Sequence, residues 1–293
     1  MEFKNSVTST EINKLDSKNC DQCGKECQNA TCTVACALQY HERHMKIKAA
    51  HEAEGPLIAE KAIKEIAELF VRPNNPADLS ATIDQIFGTY ISKIRQFPKV
   101  SYSKLSNDPE YLLDRHVRAR FIDHFSWAIP RSTTLATLAS KLAGYKNILE
   151  VGAGSGLWTY LLSGLHAVPI RATDILDGSY GSDRIHKYSP VEQLDAVASI
   201  VKYDPEVLMM VWAPYGKTMA HDSLKAFKGN LLVWIGESES GCNGDAHFFT
   251  ALEKNWKMVD HISMPRWKES HDGCIIFQRK VPNPDKLLVG IKS

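Results

Sequence analysis

Two clusters in this 293-residue chain have the residue types and spacing for chemistry. In ILEVGAGSGLWTYLL (residues 148–162), glycines stand at 152, 154 and 156, directly after a run of β-formers and directly before a helical apolar pattern. Such a turn brings backbone very close to a ligand, because glycine has no side chain to hold it away. A dinucleotide fingerprint needs glycine at the first, third and sixth positions; counted from Gly152 the sixth is Leu157. A P-loop needs Gly-Lys-Ser/Thr, which does not follow. The second cluster, CDQCGKECQNATCTVACALQYHERH, holds five of the seven cysteines, with Cys20 and Cys23, then Cys32 and Cys36, as close pairs. Zinc takes four tetrahedral sulfur or nitrogen ligands, and a two-residue gap lets one tight turn supply two of them.

The elements that must position these residues follow from composition and pattern. With 44% hydrophobic and 24% charged residues the chain is globular, long enough for an α/β domain of roughly 150 to 200 residues plus a smaller unit. A formal charge of +1 gives no overall footprint for nucleic acid or an anionic membrane. The start, MEFKNSVTST, lacks the apolar core of a signal peptide, and no stretch offers 18 uninterrupted apolar residues. The expectation is a soluble cytoplasmic protein, with the nucleus left open. In a reducing compartment its cysteines are thiols or metal ligands rather than disulfides.

Residues 1–18 carry few large apolar side chains and predict a flexible tail; 19–51 form the zinc-binding segment. Over 52–130 the pattern is mainly helical. PLIAEKAIKEIAELFVR sets Ile58, Ala62, Ile66, Leu69 and Phe70 on one face, PNNPADLS interrupts, and ATIDQIFGTYISKIRQF resumes. From Arg131 strands and helices alternate, which predicts parallel strands with crossover helices over 131–293. A helix over 131–143 precedes a strand over 147–151, a helix to about Leu165, and a strand ending near Asp174. The loop DGSYGSDRIHKYSP stands where a second crossover helix belongs. Then come a helix VEQLDAVASIV, a strand EVLMMVWAPY, a helix over 219–228, a strand NLLVWIG and a helix over 246–255. The stretches WKMVDHISM and GCIIFQRK read as an antiparallel pair.

The glycine turn resembles motif I of the class I S-adenosylmethionine-dependent methyltransferases, E-x-G-x-G-x-G, present as Glu150, Gly152, Gly154 and Gly156, with Ala153 inside it. The resemblance implies a Rossmann-like seven-stranded sheet and S-adenosylmethionine (SAM) as cofactor. It also implies an acidic residue on the ribose hydroxyls, a place matched by Asp174. A carboxylate suits a vicinal diol because it accepts two hydrogen bonds side by side. Pro190, Val191 and Glu192 lie where the third strand ends, and Glu192 is the candidate there for framing the adenine.

VWAPY resembles motif IV of the amino-methyltransferases, usually Asn or Asp followed by Pro-Pro-Tyr. Trp212 replaces the amine acceptor, so DNA or glutamine methylation is not implied. Trp212 and Tyr215 are candidates for an aromatic wall against a planar or cationic group, or for plain core packing. GESESGCNGD sets Glu237, Glu239 and Asp245 at the same sheet edge, where acceptors would suit an amine or serve as general base, or else form an irregular loop. FSWAIP and PRWKESHDG resemble stretches of uncharacterised methyltransferase-like proteins, a similarity that implies no substrate. His271 and Asp272 read as an acid/base pair or, more simply, as turn formers.

The cysteine segment is similar to a shortened MYND-type finger, which implies one structural zinc on Cys20, Cys23, Cys32 and Cys36, with Cys27 or His44 as substitutes, and docking of a protein partner. Free thiols in a tail are the alternative. The combined expectation is a methyltransferase acting by in-line transfer to an acceptor, protein or small molecule before nucleic acid, without contact with a membrane. The alternatives are an inactive cofactor-binding interaction module and a nicotinamide oxidoreductase.

Overall fold

In the computed structural model the described residues are 34–97, 108–178, 186–268 and 270–281, with only the backbone course described over much of 34–52. The elements in chain order are α1 (Val34–Ala67), α2 (Pro76–Gln96), α3 (Pro109–His124), α4 (Ser132–Leu142), β1 (Ile148–Val151), α5 (Leu157–His166), β2 (Ile170–Asp174), β3 (Val191–Gln193), α6 (Ala196–Tyr203), β4 (Val207–Val211), α7 (Met219–Ala226), β5 (Leu231–Gly236), α8 (Ala246–Asn255), β6 (Trp256–Ser263) and β7 (Gly273–Arg279).

The strands form one sheet in the order β3-β2-β1-β4-β5-β7-β6. The first five are parallel, and β7 runs antiparallel between β5 and β6. An all-parallel dinucleotide-binding sheet has six strands ordered 3-2-1-4-5-6. The seventh strand inserted antiparallel separates this sheet from that one and fits the Rossmann-like methyltransferase sheet that the motif I resemblance implies. β1 and β5 are buried along their whole length, as strands covered on both faces must be. On one face Leu149, Val151, Leu208, Met210, Leu232 and Trp234 pack with Ile200, Leu224, Phe248 and Leu252 from the helices.

Predicted and observed elements differ at VEQLDAVASIV. Its first residues form β3, with Val191, Glu192 and Gln193 opposite Ala172, Thr173 and Asp174, and the helix begins at Ala196. Asp195 sets that start: its side chain accepts the N–H groups of Val197 and Ala198 at 2.9 and 3.1 Å, as an N-cap does. The helix predicted around PLIAEKAIKEIAELFVR is the C-terminal part of the longer α1, which crosses the expected 51/52 boundary with Pro56 inside it.

The chain divides into two compact units, Met1–Glu68 with Gly88–Val117, and Leu69–Phe87 with Arg118–Ser293. In the first, Lys93 pairs with Glu65, and the Tyr90 hydroxyl donates to the buried Asp114 carboxylate. In the second, Asp84 of α2 anchors the start of α4. Its carboxylate accepts Ser132 N–H at 3.2 Å, Ser132 Oγ–H at 2.5 Å and Arg131 Nε–H at 3.0 Å. Arg131 at the N-cap makes no side-chain cap of its own, so a residue 48 positions away satisfies the helix end. No helix among the described residues is long and apolar enough to cross a membrane.

Candidate active site

The C-terminal ends of β1, β2, β4 and β5 gather the sequence-predicted residues on one sheet edge, where ligands bind in open α/β sheets. Gly152, Gly154 and Gly156 all have left-handed backbone, with φ of 66, 54 and 68°. They differ in what surrounds them. A Cβ on Gly156 would strike Ser189 and lie 2.8 Å from Val191 Cγ2, and one on Gly152 would lie 2.5 Å from the end of Met219. Among the described residues, a Cβ on Gly154 would meet nothing within 4 Å. Gly156 therefore allows packing, Gly152 meets only the movable end of Met219, and Gly154 borders space that no described residue fills.

Asp174, at the end of β2, is buried, and its Oδ2 accepts Gly154 N–H at 2.9 Å while Oδ1 accepts Leu176 N–H at 2.8 Å. Each carboxylate oxygen has two lone-pair directions, so each keeps one for a ligand hydroxyl. Ala153 N–H donates to Thr173 O at 3.0 Å, which closes the turn against β2.

Glu150 faces inward. Its Oε2 accepts Thr159 N–H at 3.1 Å and Thr159 Oγ–H at 2.5 Å, which holds the start of α5 behind the turn. Burial pushes its carboxyl up to about 7, opposed by the Thr159 bonds and assisted by the Asp174 charge. Glu192 on β3 is paired with Lys202 at 2.5 Å and accepts from the Tyr203 hydroxyl. The Lys202 bond, foremost, holds its carboxyl below the usual range.

In the sequence, residues 186–189 read only as part of a loop. They lie along the glycine turn: Lys187 Nζ donates to Gly154 O at 3.0 Å, Tyr188 N–H to Ser155 O at 2.9 Å, and Ser189 Oγ–H to Gly156 O at 3.1 Å. The Tyr188 hydroxyl donates to His124 O at 2.6 Å, and burial pushes it up to about 12. No local periodicity marks such a strap: its three bonds to the turn each span 33 residues, and that to His124 spans 64.

At the end of β4 the chain turns sharply. Trp212 has φ of 50°, which for a bulky side chain is a strained, uncommon conformation. Its N–H donates to Ile235 O at 2.8 Å and its Nε1–H to Asp272 Oδ1 at 3.0 Å. Its ring stacks on Trp127 at 5.2 Å and 21°, and the Arg118 guanidinium lies 5.8 Å from its centroid. Tyr215 is exposed, so Trp212 and Tyr215 differ in role: the first is tethered on several sides, the second stands in solvent.

Asp272 is fully buried with its Oδ1 bonded to Trp212, whereas the His271 side chain is 79% exposed and has its Nδ1 3.9 Å from Glu237 Oε1, so among the described residues the two side chains are not paired with each other. Burial pushes Asp272 up to about 6, with the Glu237 charge adding to it and Ser270, Trp212 and Arg118 opposing. The Trp212–Asp272 bond joins positions 60 apart, for which the sequence carries no local signal.

After β5, Glu237 is buried and joins its own loop to the one before β7. Oε2 accepts Cys242 N–H at 2.7 Å and Oε1 accepts His271 N–H at 2.9 Å, while its own N–H donates to Asn243 Oδ1 at 2.7 Å. Glu239 is exposed, and Asp245 is the N-cap of α8, accepting Phe248 N–H at 2.9 Å. The acidic trio therefore comprises a loop-holding carboxylate, a solvated one and a cap.

Cys20, Cys23, Cys27 and Cys32 lie outside the described residues; Cys36 lies in the backbone of α1. Among the described residues no group of three or more His, Cys, Asp or Glu side chains is arranged to hold a metal ion.

No protein-family model matches the sequence, and no curated protein does. Solved structures similar to it include human N-acetylserotonin methyltransferase in complex with SAM, at 10% identity and TM-score 0.39, covering 67% of this chain and 66% of that one. A SAM-dependent O-methyltransferase from Thermotoga maritima has 12% identity and TM-score 0.33, with 52% and 66% covered. A tRNA methyltransferase from Aquifex aeolicus has 12% identity and TM-score 0.32, with 52% and 70% covered. The chain spans about half to two thirds of the length of the first solved chains it matches.

Proposed function

We propose that this protein is a SAM-dependent methyltransferase. The observation that carries the reading is Gly154: left-handed backbone, no described residue within 4 Å of where a side chain would be, and an N–H held by the carboxylate at the end of the adjoining strand. The turn fits a cofactor that needs close backbone approach and a diol acceptor beside it, with Gly152, Ala153, Gly154, Gly156 and Asp174 as the residues that would hold it. Glu150 acts behind them by fixing α5. When bound, SAM supplies an electrophilic methyl group. The chain's part is to orient acceptor and cofactor and to exclude water, since alignment alone accounts for much of such a transfer.

The acceptor is a protein or small molecule in this reading, because the chain is nearly neutral. Trp212 and Tyr215 are the residues proposed to meet it, with Glu237 and Glu239 at the neighbouring strand end. A zinc-bound N-terminal segment is proposed on the cysteine spacing, and its docking of a protein partner on the MYND-type resemblance alone.

Calorimetric titration of the purified protein with SAM, with NADH as comparison, tests the reading. Saturable binding of SAM alone, weakened at least tenfold in Asp174→Asn, is expected. Binding of NADH instead would overturn it. A second reading, a cofactor-binding module without turnover, is favoured by Trp212 at the position where amino-methyltransferases keep an amine acceptor. Binding of SAM with neither automethylation nor transfer to protein or small-molecule extracts would support that one.

A further inference from the structure

We propose that Asp272 is a positioning residue. By accepting the indole N–H of Trp212 it holds that residue in its left-handed conformation and in its stack on Trp127, and so sets the wall at the end of β4. The role of the wall in acceptor binding rests on the methyltransferase reading above; the tether does not.

Three observations converge. First, Trp212 is a bulky residue at φ of 50°, a conformation that persists only when its surroundings impose it. Its two hydrogen bonds, one from the backbone to Ile235 O and one from the ring to Asp272 Oδ1, point to different strands of the sheet edge, β5 and the start of β7. Second, Asp272 does not behave as the turn former its HDG setting suggests. Turn aspartates accept backbone N–H groups one or two residues on, whereas among the described residues Asp272 accepts no backbone N–H. Its carboxylate otherwise has only the Ser270 hydroxyl as a neighbouring hydrogen-bonding side chain, and no backbone group is bonded to its buried Oδ2 among the described residues. A carboxylate retained at 0% exposure and bonded to an indole 60 residues away is placed for that indole. Third, the tethered ring is the hub of the site. Trp127, 37% exposed, stacks on it, and Arg118 lies against it. Moving Trp212 moves the surface that Trp127 presents.

The test is spectroscopic, on the full chain. Stacked indoles couple in near-ultraviolet circular dichroism, and the part of the signal due to this stack is that lost in Trp127→Phe. Asp272→Ala should lose the same signal while far-ultraviolet dichroism stays unchanged. Asp272→Asn, which still offers an acceptor oxygen, should retain it. A folded Asp272→Ala with the wild-type signal, or Asp272→Asn losing it as fully as Asp272→Ala, would overturn the tether.

Should Asp272→Ala not fold, the wild-type chain decides the matter. The Trp212 indole N–H resonance, assigned by its absence in Trp212→Phe, should exchange with solvent at least tenfold more slowly than a free indole. Exchange at the free rate would overturn the proposal. Saturation with SAM should then shift that resonance. A resonance that stands still while calorimetry shows binding would remove Trp212 from the cofactor's neighbourhood. Absence of calorimetric binding would instead sink the methyltransferase reading and leave the tether intact.

Discussion

Asp174 accepts the N–H of Gly154 through Oδ2 at 2.9 Å and that of Leu176 through Oδ1 at 2.8 Å, so one carboxylate at the end of β2 ties down the turn that follows β1. Substituting Asp174 thus alters the shape of the turn as well as any contact with a cofactor. The glycines offer a way to separate the two effects.

Gly154→Ala should abolish SAM binding at a modest cost in stability. The added methyl group enters open space, so the cost is that of a left-handed alanine, about 1 to 2 kcal/mol. Gly156→Ala adds a clash with Ser189 and Val191 to the same backbone penalty and should lower the melting temperature further. Thermal unfolding and calorimetry of the two variants check the order; equal destabilisation would contradict the division between cradle and packing glycines.

Glu150→Gln should stabilise the protein above pH 7. The folded carboxyl titrates at about 7 against an ordinary 4.5, so the folded state holds a proton that the unfolded state releases. Stability contributed by this group therefore falls as pH rises from about 4.5 to 7, and the full cost is present above that window. The difference corresponds to about 3 kcal/mol. Glutamine keeps the oxygen that accepts both Thr159 bonds and removes the charge. Denaturant unfolding at pH 5 and pH 8 reads the effect: wild type and variant should diverge at pH 8 and converge toward pH 5.

Asp84→Ala should destabilise the sheet-bearing unit by about 1 to 3 kcal/mol, because it leaves the first N–H of α4 and the Ser132 hydroxyl without their acceptor. SAM affinity, measured on the folded fraction, should change less than twofold. A large loss of affinity would mean that α4 governs the turn more directly than its place in the fold implies.

One zinc per chain is the expected result of elemental analysis on protein purified without chelators. Cys20→Ser with Cys23→Ser should lower it to background while leaving SAM binding intact. A metal-free wild type would return the cluster to free thiols.

How much of this was legible in the residue string depended on range. Glycines at 152, 154 and 156 between β-formers and an apolar helix mark a ligand turn because glycine is needed there for local backbone reasons. The paired terminal strands, WKMVDHISM and GCIIFQRK, declare themselves by two-residue alternation, and their insertion next to β5 separates this sheet from a dinucleotide-binding one. The start of α6 is not among these: VEQLDAVASIV reads as one helix, and β3 appears only once Ala172–Asp174 lie beside Val191–Gln193, with Asp195 capping the helix behind them.

Chain periodicity does not encode what a side chain meets across tens of residues. Glu237 and Glu192 read as acceptors beside a ligand, and only the folded chain commits the one to Cys242 and His271 and the other to Lys202 and Tyr203. The strap of Lys187, Tyr188 and Ser189 along the glycine turn, the capping of α4 by Asp84, and the bond from Trp212 to Asp272 belong to the same class. By itself the sequence determined the order of elements and the turn at the end of β1, because propensity, alternation and glycine's backbone freedom act within a few residues. The tertiary structure alone decided which carboxylates are spent and which aromatic rings meet, because burial and hydrogen bonding depend on which strand ends the sheet brings together.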